Sequence, residues 1–187
     1  MGRFSVLGAL LLLCATSGLA QDVKVRPVES PSQIEIGAGV TFDSFNEVPS
    51  TTTNNFGVNA SVVAYHDWLG SEGQVSDTFG SQGGQSSQLL FAGAGIRVRW
   101  PTSRSIQPWA HGVVGYSRFS PNAVVGNHSS VGDKAGGGVD IIPHHGRLKF
   151  RVSADVFNTN FFHTHQVSPE VSVGVVLSLD RRGPMGH

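Results

Sequence analysis

The chain has 187 residues with 13 basic and 13 acidic side chains, and 14% of its residues are charged, against about 25% in a typical globular protein. Its 24 glycines approach twice the usual share of about 7%, which is a composition of sheet and turn. The balanced charge excludes the basic face that nucleic-acid binding requires, and no segment past the first twenty residues approaches the run of about 18 apolar residues that makes a membrane-spanning helix. A membrane β-barrel is not excluded, because its apolar and polar residues alternate and cancel in any average.

Residues 1–20 carry Arg3, the apolar run Val6–Leu13 and the small-residue ending Ser17-Gly18-Leu19-Ala20. These are the three regions of a secretory signal peptide, with cleavage expected after Ala20. The only cysteine, Cys14, falls inside this leader, so the exported chain is expected to hold no disulfide. Residues 21–32, with Pro27 and Pro31, form an extended lead-in.

From residue 33 onward the pattern is period two. In 33–43, Ile34, Ile36, Ala38, Val40 and Phe42 share one face, opposite Glu35, Gly37, Gly39, Thr41 and Asp43. In 147–158, Leu148, Phe150, Val152, Ala154 and Val156 oppose Lys149, Arg151, Ser153 and Asp155. Further segments at 56–68, 73–80, 88–100, 106–119, 133–142 and 169–179 bring the expected strands to eight, with no sustained helical period. In 106–119, placing His111 inward carries Val113 inward as well.

The connections at Leu69–Glu72, Pro101–Ser105 and Pro143–Gly146 are short and rich in Pro or Gly. Those near 44–55, 80–87, 120–132 and 159–168 are longer and polar. Long and short alternate throughout, as they do in an up-and-down outer-membrane barrel with long loops outside the cell and short turns in the periplasm. An even strand number returns both chain ends to the periplasmic side.

One face of the well-patterned strands is apolar over about 9–11 residues, enough for a tilted strand to cross the hydrocarbon core. Trp68, Phe79, Trp100, Trp109, Tyr116 and Phe161 sit near strand ends, where interfacial aromatic girdles form. The opposite face holds Glu35, Asp43, Glu72, Asp140 and Asp155 against Arg97, Arg99, Lys149 and Arg151. Eight strands enclose room for side chains only, and buried charges are tolerated when paired, so these nine residues predict an interlocked lumen with no wide channel. Gly37, Gly39, Gly93, Gly95, Gly115, Gly136, Gly138 and Gly174 share that inner face and leave room for the long side chains.

Across 33–179 these segments resemble the small eight-stranded OmpA-like outer-membrane β-barrel family. The last strand carries the most specific likeness: Ser172, Gly174, Leu177 and Leu179 stand where that family's C-terminal assembly signal has a polar residue, a glycine and two large apolar residues. Leu177 and Leu179 replace the usual aromatics, and a tail, 180–187, follows. The resemblance implies an all-β transmembrane barrel in the bacterial outer membrane. It would contact lipids and lipopolysaccharide, reach the membrane through periplasmic chaperones and the barrel-assembly machinery, and stay monomeric. It implies no cofactor and no shared activity, since these barrels serve structural, adhesive and occasionally enzymatic ends.

Two rivals and one minor site are legible. A soluble lipocalin-like ligand-binding barrel would point the same apolar residues inward and the charges outward. A lipid A deacylase would use His128 and Ser130 with Asp140 as the orienting acid. His128 with His163 and His165 would share the extracellular end and could meet a metal ion there, although solvated loop histidines are the simpler reading.

Overall fold

The computed structural model describes residues 33–48, 51–82, 85–100, 105–121, 126–143, 147–161 and 165–180. The expected leader with Cys14, the lead-in 21–32, residues 181–187 of the tail, and His144, His145 and His163 lie outside the described residues.

Eight strands follow in order: β1 (Gln33–Val48), β2 (Thr51–His66), β3 (Leu69–Gln82), β4 (Gln85–Arg99), β5 (Ile106–Pro121), β6 (His128–Ile141), β7 (Leu148–Thr159) and β8 (Gln166–Asp180). Each pairs antiparallel with the next, and β8 returns to pair with β1, so the sheet closes into an up-and-down barrel. The first strand begins and the last strand ends at one end of the barrel, here the termini end. The β1–β2, β3–β4, β5–β6 and β7–β8 connections lie at the far end.

The period-two pattern sorts as its chemistry requires. Ile36, Val40 and Phe42 on β1, Phe150, Val152 and Val156 on β7, and Val171, Val173, Val175, Leu177 and Leu179 on β8 all face outward and are exposed. The charged residues between them are buried inside. That polarity is opposite to the one a lipocalin-like barrel would show, so the soluble ligand-binding alternative does not fit. An outer surface covered by exposed Ile, Val, Leu and Phe is matched to lipid, not to water.

Two details of the expected layout change. Leu69–Glu72 is not a turn: it opens β3, and the reversal is made by Asp67 and Trp68 alone. Asp67 takes a left-handed backbone (φ 58°), which Asp tolerates because its short side chain can bond locally. Its carbonyl accepts a hydrogen bond from Arg99 Nε at 3.0 Å. The polar segments near 44–55 and 80–87 are also largely strand, and strands reach into those near 120–132 and 159–168 from both sides. β1 runs to Val48 and β2 begins at Thr51, while β3 and β4 are separated by residues 83–84 alone. Ladder bonds involve only the backbone, so Ser-, Thr- and Asn-rich stretches continue the sheet past the apolar belt. Strands of 12–16 residues exceed the roughly 9–11 needed to cross the hydrocarbon core. Their surplus lies at the far end, where the outward positions include Ser44, Asn54, Ser86 and Ser129.

Of the six aromatics expected on the outside, Trp68, Phe79, Trp100 and Tyr116 are exposed there. Trp109 and Phe161 are instead buried in the interior, at 4% and 1% exposure. Trp109 has the inward parity of His111, and Phe161 enters from the β7–β8 connection.

Closure brings Gly39 of β1 directly opposite Gly174 of β8. A Cβ on Gly39 would fall on the Val173 carbonyl and the Gly174 Cα, whereas a Cβ on Gly112 of β5 would meet nothing. Gly39→Val should therefore cost about 1–3 kcal/mol and lower the fraction that folds, while Gly112→Ala should leave folding unchanged. Heat-modifiable gel migration in detergent checks both.

Candidate functional site

The chemistry of this chain is concentrated in its lumen, which has three levels. At the termini end Glu35 is a hub: it accepts from Lys149 Nζ at 2.5 Å and Arg151 Nη2 at 3.4 Å, and lies 3.7 Å from Arg99 Nη1. Arg151 also donates to both oxygens of Asp140, at 2.7 and 2.8 Å, and Asp140 takes the Trp109 indole N–H at 3.0 Å. Arg99 stacks over Tyr65, with its guanidinium carbon 4.0 Å from the ring centroid.

One level up, Glu72 is paired with Arg97 through both side-chain ends. Arg97 lies 3.9 Å over the Trp109 ring. His111 is held between two carboxylates, with Nδ1 at 2.9 Å from Glu72 and Nε2 at 3.0 Å from Asp155. Asp155 is on β7 and His111 on β5, so this contact crosses the intervening β6. Gly136, the register partner of both, makes the crossing possible, because a Cβ there would strike the Asp155 carboxylate. Each ring nitrogen of His111 thus lies within hydrogen-bond distance of a carboxyl oxygen.

Higher still, Lys134 Nζ donates to Glu170 at 2.7 Å and Ser76 at 3.0 Å, and sits 4.8 Å from the rings of both Phe91 and Phe157. Asp43 accepts from Asn55 Nδ2 at 2.8 Å. Above this level Phe45, Leu89, Phe119 and Phe161 join Phe91, Phe157 and Val113 in one buried cluster, with Thr53, Ser87, Thr159 and Gln166 buried beside it. Phe45 meets Phe119 in a tilted contact and Phe161 edge to face, with centroids 5.3 and 6.2 Å apart.

All nine residues read from the sequence as inward charges, Glu35, Asp43, Glu72, Arg97, Arg99, Asp140, Lys149, Arg151 and Asp155, are buried on the inner face. Eight of them belong to the two lower levels. Asp43 stands apart, bonded to an amide. Lys134, Glu170, the bridging role of His111 and the aromatic cluster were not read. Lys134 has the parity of Gly136, Gly138 and Asp140 on β6, and Glu170 that of Ser172 and Gly174 on β8, so the alternation within the expected strands 133–142 and 169–179 already places both inward. With them, the described lumen holds six carboxyl groups, five Lys or Arg and one doubly bonded His.

The four assembly-signal positions all lie on the closing strand. Ser172 bonds Ser153 at 2.6 Å in the interior, Gly174 faces Gly39, and Leu177 and Leu179 point outward beside Ile36 and Ile34. The hydrolase arrangement fails on distance. His128 opens β6 and Asp140 nearly ends it, and twelve residues at about 3.3 Å each separate them by about 40 Å. Asp140 is committed to Arg151 and Trp109. His128 and His165 lie at the far end, while His163, the third member of the metal arrangement, is outside the described residues.

The closed eight-strand order, the apolar exterior and the charged interior define the class: a small eight-stranded transmembrane β-barrel of the outer-membrane type. No protein-family model and no curated protein matches the chain. Solved structures do. Neisserial surface protein A superposes with a TM-score of 0.63 at 15% identity, covering 79% of this chain and 97% of that one. Ail, the attachment invasion locus protein of Yersinia pestis, gives 0.57 at 14% identity over 79% and 99% of the two chains. A major outer membrane protein from Thermus thermophilus gives 0.53 at 10% over 79% and 99%. At these identities the shared property is the fold.

The Lys134–Glu170 pair offers a test of lumen energetics. Removing one partner of a buried ion pair costs about 3–5 kcal/mol, whereas removing both charges can be nearly neutral. Lys134→Met and Glu170→Gln should each lower the urea midpoint strongly, and the double substitution should lower it less than either alone. Additive losses would show that the two groups are energetically independent.

Proposed function

We propose that this chain is an integral, non-enzymatic protein of the bacterial outer membrane, monomeric, with its termini in the periplasm and its polar strand extensions facing outward. The observation that supports the reading best is the inversion of polarity: exposed Val, Leu, Ile and Phe surround a lumen of buried, paired charges. A soluble protein has no reason to spend its apolar residues on its surface, and lipid is the solvent in which that surface is stable. The bulk of the lumen is filled by ion pairs below and phenylalanines above, which favours a plugged barrel serving as scaffold over a pore. Any recognition role belongs to the far-end extensions, rich in Ser, Thr, Asn and Gln, that the scaffold carries beyond the membrane.

Export, lipid contact and assembly follow from the same reading. The leader directs secretion, periplasmic chaperones carry the unfolded chain, and the assembly machinery reads Ser172, Gly174, Leu177 and Leu179 before β8 closes on β1. Lipopolysaccharide then surrounds the outer half of the belt.

Fractionation of cells that express the full chain tests the proposal. The protein should be found in outer membranes, show heat-modifiable migration, and begin at Gln21. In planar bilayers it should pass no current of open-pore size. Recovery from the soluble periplasm would contradict the membrane location, and a large steady conductance would contradict the plugged lumen.

A further inference from the structure

The lipid-facing surface is not uniform. At the termini end, a groove of about 300 Å³ opens on the outer face of β3 beside the Asp67–Trp68 turn. Its floor is set by register: Ala64 of β2, Ser71 of β3 and Ile96 of β4 lie side by side. Two of the three are small, and Trp68 and Leu69 stand at the mouth as taller walls. The next outward position on β3 is Gly73, between Val62 of β2 and Ala94 of β4, so no β3 side chain closes the groove on the side of the apolar belt. An open track of this kind within a hydrocarbon-facing surface is filled by a hydrocarbon chain.

The rim supplies the headgroup chemistry. His66 and Asp67 stand at the mouth with Nε2 and Oδ2 4.0 Å apart and side chains 81% and 60% exposed. A nitrogen donor beside a carboxylate complements a zwitterion that carries phosphate and ammonium. It does not complement an anionic headgroup, which Asp67 would repel. The rim is also fixed in place, since Arg99 reaches from the lumen to hold the Asp67 carbonyl at 3.0 Å and its backbone N–H bonds the Trp68 carbonyl at 2.9 Å. Exposed Trp68 and Trp100 set this end at the height where indoles favour the membrane interface.

We propose that the groove seats one aminophospholipid from the membrane leaflet at the termini end, with an acyl chain along Ala64, Ser71 and Gly73, the ammonium at Asp67 and the phosphate at His66. The proposal rests on the membrane reading above, because the groove is continuous with the lipid-facing belt. A soluble ligand would have no access to it.

The test is native mass spectrometry of the full-length protein, reconstituted with equal amounts of phosphatidylethanolamine, phosphatidylglycerol and phosphatidylcholine of one acyl composition and then released from detergent. The wild type should retain one phosphatidylethanolamine per barrel, about tenfold over either competitor. Ser71→Phe, which fills the floor, should abolish retention. Asp67→Asn should keep a bound lipid but lose the preference. Should Ser71→Phe fail to show the folded gel shift, Ala64→Leu fills the same floor from β2 and gives the same readout. Equal retention of all three lipids by the wild type, or undiminished retention by a folded floor variant, would overturn the site. A chain that stays soluble without detergent would overturn the membrane reading instead, so the two failures are distinguishable.

Discussion

In hydrocarbon every backbone N–H and C=O must find its partner within the protein, and a sheet meets that demand only by leaving no edge. The pairing of β8 with β1 is the contact on which everything else here depends. It runs from Gln33↔Asp180 to Asp43↔Glu170 without a shift, and two glycines face each other in its middle. Once that seam is closed, inside and outside are defined for all eight strands. The strict alternation of side chains then commits every second residue to lipid or to lumen.

That commitment creates the second problem, which is how to fill a narrow interior with groups that the sequence has made polar. The lower lumen solves it by crossing strands. Glu35 on β1 gathers cations from β4 and β7, and Asp155 passes over Gly136 to reach His111. Side chains several strands apart are thereby linked, so the lattice braces the barrel across its section, where the ladder can only brace it around its circumference. The upper lumen uses phenylalanines, and Lys134 stands at the junction with its ammonium between an acid below and two aromatic faces. The equal numbers of acids and bases in the whole chain have a local counterpart, because the described interior sets six carboxyl groups against five Lys or Arg side chains and one histidine.

Most of this was legible where alternation was regular. β7 shows it best: Lys149, Arg151, Ser153 and Asp155 all point inward, and Phe150, Val152 and Ala154 all point out. Reading failed where the residues themselves carried no face preference. On β6 the run Gly136-Gly137-Gly138 erases the contrast between faces, so the inward Lys134 beyond it went unread. On β3, Gly70 and Ser71 look like turn residues, although they open a strand whose real turn is the left-handed Asp67. The far-end strands are rich in Ser, Thr and Asn and look like loops, because a sheet beyond the membrane no longer needs an apolar side. The aromatic cluster was hidden for a different reason: Phe45 has inward parity in a segment that is loop-like by composition, Phe119 is the last residue of the expected strand 106–119, and Phe161 lies in no strand.

The measurement that tests the central claim most directly is a spin-label accessibility scan along β7 in bilayers. The mature chain expected after cleavage has no cysteine, so single cysteines at positions 149 to 156 can each carry a label. The account predicts that labels at 150, 152, 154 and 156 collide readily with oxygen dissolved in lipid and poorly with a water-soluble nickel reagent. Labels at 151, 153 and 155 should meet neither. Aqueous access at the even positions, or no alternation along the strand, would contradict a barrel with lipid outside and a paired, closed interior.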